Sequence, residues 1–231
     1  MAVIEHGNIA NISAVASGLC LLLFLFVENR AGQAAMMPLP LFRNRMFGGA
    51  IVVAAAMTFG MYGVLFLLPM VWQLSGTLSV TWAGVALLPM SLAFIALSHK
   101  SGAWSGRFGS RRLMAGGMAL IGCGIGTLSF TQAGQPLGIA VVGLLLTGIG
   151  MALNTGPVLA VAVAAVEPSR AGTAAALVNT ARMVGATLGV AVLGAIYAAG
   201  GDAVSGFMAA MRIGAAVVLA GAGIAALTIA G

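Results

Sequence analysis

Seven apolar stretches account for most of the chain, near 9–27, 46–71, 82–99, 113–131, 138–163, 172–198 and 207–229. Each is long enough to cross a hydrocarbon core, which takes about 17–25 residues of α-helix. Hydrophobic residues make up 61% of the 231 and charged ones 6%, with a mean hydropathy of +1.12. A water-soluble domain carries roughly a quarter charged residues, so this one has too few polar groups to cover its own surface. Lipid is therefore the main solvent, and helices satisfy the backbone inside it. The 34 glycines are interleaved with Leu, Val, Ala and Met, as in membrane helices that pack closely through small residues. The expected fold class is all-α, a polytopic membrane protein of about seven transmembrane helices.

The breaks between stretches are short: Glu28–Arg45, Gln73–Thr81, Lys100–Arg112, Gln132–Leu137, Ala164–Ala171 and Ala199–Gly206. Consecutive helices should then be antiparallel neighbours. Arg30, Arg43, Arg45, Lys100, Arg107, Arg111, Arg112 and Arg170 all fall on one side of that zigzag. The breaks after the second, fourth and sixth stretches hold no Lys or Arg, so the basic side is assigned to the cytoplasm. An odd number of crossings puts the amino terminus outside, yet no basic region precedes the first stretch to mark an export signal. The chain starts as if in mid-protein.

The pI near 10.8 does not indicate nucleic acid, since no dense basic face with interleaved aromatics accompanies it. Cys20 and Cys123 lie inside apolar runs and are expected to be buried free thiols. No Cys/His spacing suggests a metal, and no cofactor motif is present. His6 and His99 sit at stretch ends, and Asn11-Ile-Ser13, a glycosylation pattern, falls inside a span. No Ser/His, Cys/His or paired-acid set within the spans suggests an enzyme.

Arg182 stands out among the polar residues. It lies ten residues beyond Gly172, about 15 Å deep at ~1.5 Å per residue. A central Arg costs at least ~2.5 kcal/mol to insert, so it must face a cavity or polar partners. It either anchors a substrate or coupling group in a central cavity, or is capped by carbonyls with Asn154 or Asn179 to tie helices together. Asn154 and Thr155 precede Pro157, which removes one backbone hydrogen bond; they either bind a ligand or satisfy the freed carbonyls. Gly185, Gly189 and Gly194 line one region of the sixth stretch, as packing surface or as a hinge. Met36, Met37, Met57, Met61, Met70 and Met90 either pad an adaptable apolar pocket or face lipid and core.

Four segments then resemble one family in order. They are Pro38-Leu-Pro-Leu-Phe-Arg-Asn-Arg-Met-Phe47; Tyr62-Gly-Val-Leu-Phe-Leu-Leu-Pro69 with Ala83-Gly-Val-Ala-Leu-Leu-Pro-Met90; Ser101-Gly-Ala-Trp-Ser-Gly-Arg-Phe-Gly-Ser-Arg-Arg112; and the run from Arg170 to Gly194. Together they resemble the carboxy-terminal half of fourteen-helix drug/proton antiporters of the major facilitator superfamily, the group that includes multidrug exporters and methylenomycin A resistance proteins. The resemblance implies that residues 1–45 are a linker helix and cytoplasmic connector, and 46–231 a six-helix transporter bundle. It implies proton-coupled export of small molecules such as antibiotics across a bacterial cytoplasmic membrane, with a partner amino-terminal bundle. The alternative is a non-transporting helical subunit or truncated product that needs a partner half.

Under the same resemblance, Gly102, Gly106, Arg107, Gly109, Arg111 and Arg112 match the superfamily's cytoplasmic loop signature. Glycines there permit a tight turn, and basic residues meet acids on the neighbouring bundle. Gly106 stands where the acid-bearing version has Asp, which weakens a charge-relay role; binding of anionic lipid heads is the other reading. Glu5, Glu28, Glu167 and Asp202 all fall in loops or at span ends. A proton-coupled exporter needs a protonatable group in the membrane, so the coupling carboxylate is expected on the other half.

Overall fold

The computed structural model describes residues 39–131 and 137–229, together with Leu19 and Leu23. The first expected span, 9–27, lies outside the described residues except for those two leucines, which are helical and exposed. Met1–Arg43 and Asn44–Gly231 form separate compact units, and the 3-10 turn Leu39–Arg43 belongs to the first. In the second unit the helices are α1 (Arg45–Leu74), α2 (Val80–Val85), α3 (Leu88–Ser98), α4 (Ser101–Phe108), α5 (Ser110–Leu128), α6 (Gly138–Ala164), α7 (Ala171–Ala199) and α8 (Ala203–Thr228).

By length and composition, five segments can cross a membrane: α1, α2 with α3, α6, α7 with the turn before it, and α8. α5, 19 residues long with Arg111 and Arg112 at its start diluting its apolarity, is not among the five, but it is part of the same packed bundle. Met114, Met118, Ile121, Ile125 and Leu128 recur every three or four residues along it and are fully buried, the pattern of a helix stripe facing a core. It packs against α6 and α8. α1 is central, in contact with α5, α6, α7 and α8.

Lipid is as apolar as Leu, so close backbone approach rather than water exclusion holds such helices together. A Cβ on Gly150 would run into the Gly117 carbonyl, and one on Gly124 into the Gly143 carbonyl, so α5 and α6 touch backbone to backbone. At the basic end, Asn44 caps α1 by accepting from the Met46 N–H at 2.9 Å, and its Nδ2 donates to the Ala165 carbonyl at 2.9 Å. That pair ties the start of α1 to the end of α6.

Three expectations change. The third stretch, expected as one run over 82–99, is broken between α2 and α3. Pro89 lacks an N–H and its ring crowds the carbonyl four residues back. The ladder slackens there to three-residue steps, Leu87 N–H to Gly84 O at 3.2 Å and Met90 N–H to Leu87 O at 3.2 Å. The connection Lys100–Arg112, expected as a loop, is instead largely the helix α4, and only Gly109 between α4 and α5 takes a left-handed φ of 84°. Cys123, expected to be buried, is exposed on α5; a helix with one packed stripe leaves the residues between stripe positions outside. Cys20 lies outside the described residues.

Candidate functional site

The break at Pro89 lets α3 approach α6 closely enough that a Cβ on Gly148 would strike the Met90 backbone. Beyond that contact the helices part and leave a cleft of about 460 Å³. Met61 and Leu65 of α1, Met90, Ser91 and Phe94 of α3, and Met151 of α6 line it. Thioethers and a phenyl ring give it an adaptable, almost wholly apolar wall. Of the six methionines singled out from sequence, Met61 and Met90 are in the cleft, whereas Met57 is 1% exposed in the core. Met36 and Met37 lie outside the residues whose side chains are described.

Arg182 sits on α7 and is half-buried. Its Nη2 donates to the Thr155 carbonyl on α6 at 3.1 Å, and its Nε is buried with no partner. Its own carbonyl accepts from the Thr58 hydroxyl of α1 at 2.8 Å. The same hydroxyl lies 3.0 Å from Ala54 O and 3.1 Å from Ala55 O within α1, so its one proton is shared among these carbonyls. Three helices thus meet at this arginine. Between Ala171 and Arg182 the helix rises about 17 Å, near the middle of a ~30 Å hydrocarbon core.

The residues grouped with Arg182 from sequence divide. Thr155 meets it through its carbonyl, while the Thr155 hydroxyl back-bonds to Met151 O at 2.9 Å. Asn154 is fully buried on the other face of α6, donating to Gly150 O at 3.0 Å and packed against Gly117 of α5. Its Oδ1 has no partner among the described residues. Asn179 is exposed on α7. Pro157 is buried inside α6, which continues through it to Ala164.

Gly185 and Gly189 face α1, where a Cβ would run into the Ala55 and Phe59 carbonyls. Gly194 is looser, with Phe66 3.5 Å from its would-be Cβ.

At the basic end, Arg107, Arg111 and Arg112 surround an open hollow of about 650 Å³ beside Gly109. The Arg107 guanidinium lies 5.7 Å from the Phe108 ring centre, and the Ser105 and Ser110 hydroxyls bridge the kink at 2.8 Å. A Cβ on Gly102 or Gly106 would meet nothing within 4 Å. Of the acids among the described residues, Glu167 precedes a 3-10 turn without a side-chain capping bond and Asp202 caps α8, both at span ends. Among the described residues no three His, Cys, Asp or Glu side chains group as metal ligands.

Three features escaped the sequence. Thr58 was visible as a hydroxyl in an apolar run, but not its bond to α7. The cleft draws on helices nearly a hundred residues apart and leaves no local signal. Arg212, exposed within α8, did have a signal, a second arginine inside a span.

Residues 9–190 match the profile of the Major Facilitator Superfamily. The chain is 34% identical to the multidrug resistance protein Stp of Mycobacterium tuberculosis over 77% of its length and 33% of that protein's. It is 31% identical to the tetracenomycin C resistance and export protein of Streptomyces glaucescens, over 76% of this chain and 32% of the relative. The probable actinorhodin transporter of Streptomyces coelicolor is 28% identical over 74% of this chain and 30% of its own. The chain thus spans about a third of the length of these relatives.

Proposed function

The chain belongs to the major facilitator superfamily, and we propose that it serves transport rather than catalysis, as the carboxy-terminal bundle of a proton-coupled exporter of amphipathic small molecules. The membrane is a bacterial cytoplasmic one, with the basic end of the bundle in the cytoplasm. The observation that carries this reading is a mid-membrane Arg182 held by one carbonyl of α6, a helix that also lines an adaptable apolar cleft. An arginine kept at that depth despite its cost has a use. The multidrug resistance and antibiotic export named for the relatives agree with it.

Neither Glu167 nor Asp202 lies in a span, so the protonatable group belongs to an amino-terminal bundle, on the same polypeptide or a second one. The two bundles would rock against each other about a site near the bilayer middle. The backbone contacts of Gly185 and Gly189 suit a rigid seam within this bundle better than a hinge. Arg107, Arg111 and Arg112 at the basic end are suited to acids of the other bundle or anionic lipid heads.

The test is efflux from proteoliposomes under an imposed proton gradient. The chain alone should give none, and the chain together with the amino-terminal portion of a multidrug relative should restore it. Proton-driven export by this chain alone would sink the division of labour.

A further inference from the structure

The two halves of the site are aligned. On α1, Thr58, Met61 and Leu65 follow at three and four residues, and on α6 Gly148, Met151 and Thr155 do the same, so each set shares one helix face. α1 and α6 run antiparallel, tied at the basic end by the bond from Asn44 to the Ala165 carbonyl, so on both helices the threonine lies on the basic side of the methionine. Arg182 joins the two threonines, through its own carbonyl and its Nη2. Met61, Leu65 and Met151 line the cleft. Along the helix axes the contacts of Arg182 therefore lie about one helical turn, roughly 5 Å, toward the basic end from Met61 and Met151.

A guanidinium has five N–H donors. Among the described residues one of them finds an acceptor, the Thr155 carbonyl, and the Nε is buried without any. The acids Glu167 and Asp202 are at helix ends, so none of the described carboxylates lies in the spans beside it. A cation in a low-dielectric site with unused donors binds an anion strongly, and Arg favours the planar, two-oxygen kind. The neighbouring cleft, at about 460 Å³, is within the roughly 300–1,000 Å³ that holds a drug-sized molecule. Its wall offers such a molecule apolar contact, with the Ser91 hydroxyl as the polar exception.

Resting on the reading of this region as a substrate site, we propose that the site takes amphiphilic acids. The carboxylate, sulfonate or phenolate end pairs with Arg182, and an aromatic or alicyclic body lies in the cleft between α1, α3 and α6. The charge that this bundle leaves uncompensated is supplied by the ligand.

The test compares three probes with one ring system, 2-naphthoate, 2-naphthalenemethanol and 2-naphthylmethylammonium. Each is titrated calorimetrically into the chain in zwitterionic lipid nanodiscs, with empty nanodiscs subtracted. The acid should bind about tenfold tighter than the alcohol, the scale of one charge-assisted hydrogen bond, and the amine weakest. This ranking needs no variant. Arg182→Gln should remove the advantage of the acid, Arg182→Lys should keep part of it, and Ser91→Trp, which obstructs the cleft, should weaken all binding.

Equal affinity for acid and alcohol in the parent overturns the proposal. So does an acid preference that survives Arg182→Gln, or binding untouched by Ser91→Trp. Loss of the acid preference alongside restored efflux of neutral dyes leaves the transporter reading standing and removes only the substrate class. Acid-selective binding without efflux in the two-bundle vesicles removes the transporter reading and leaves the site.

Discussion

α7 and α8 are consecutive helices of 29 and 26 residues, both packed on α1, each with an arginine well inside the membrane. They are attached in different ways. Only 17% of the most apolar stretch of α7 is buried, against 44% for α8. α8 presses side chains such as Phe207, Met211 and Val218 into the bundle, spreading its adhesion over many contacts. α7 is fixed where Gly185 and Gly189 meet carbonyls of α1 and where Thr58 reaches the Arg182 carbonyl. A helix with most of its surface free, pinned along one narrow seam, can present a site on that surface while staying registered to the bundle. The arginines follow suit. Arg182 is drawn inward to α6, and Arg212 is left exposed.

The largest expected effect falls on that seam. Gly189→Val would push a Cβ into the Phe59 backbone, which cannot rotate away. Overpacking of this kind costs about 3 kcal/mol, read as a lower unfolding midpoint and less monodisperse protein in detergent. On α8, Gly223→Val meets nothing within 4 Å and should change stability little. Equal losses from the two substitutions would mean that α7 is no more narrowly held than α8.

The contrast between these helices was only partly legible in the sequence. Both spans are plain in hydropathy, because lipid demands long apolar runs whatever they pack against. Charge placement also told the two ends apart, since Asp202 and Arg170 lie at opposite ends of α7. Which face of α7 is narrow was not legible, because membrane helices are apolar on the lipid side and the core side alike, so periodicity carries little direction. Asn154 shows the cost: one residue from Thr155, it turns to Gly117 on α5 instead of toward Arg182. The expected loop at Lys100–Arg112 became α4 because Gly102 and Gly106 do not break a helix by themselves, and the left-handed residue is Gly109 alone.

The two arginines give the next effect. Arg212→Leu removes an exposed charge from the interior of α8, and membrane insertion of that segment should improve by about 3 kcal/mol on a translocon assay. Binding of naphthoate by the whole chain should not respond to it. Arg182→Leu should leave folding within about 1 kcal/mol of the parent, since it loses one hydrogen bond and also relieves a buried Nε without a partner. Its penalty should appear in the acid preference instead. A large folding loss with the preference intact would make Arg182 a strut between α6 and α7 and nothing more.

The smallest effect concerns how the two helices begin. α8 opens with a capping box: Asp202 accepts from the Ser205 N–H at 2.8 Å and the Val204 N–H at 2.9 Å, and the Ser205 hydroxyl donates to it at 2.9 Å. α7 follows Arg170 with no side-chain cap. The Ser205 N–H first, then its hydroxyl and the Val204 N–H, hold the Asp202 carboxyl below the usual carboxylate range. Because the folded value is the lower one, the cap stabilises fully above the ordinary carboxylate pKa and fades as pH falls through the depressed value. Acidification should therefore fray the first turn of α8 and spare that of α7, seen as faster hydrogen exchange at Val204 to Phe207 after correction for intrinsic rates. Asp202→Asn keeps an acceptor and should abolish the pH dependence, whereas Asp202→Ala should fray the turn at every pH. An α8 start that ignores both substitutions would assign its order to the packing of Phe207 and Met211, the broad contact by which this helix differs from its neighbour.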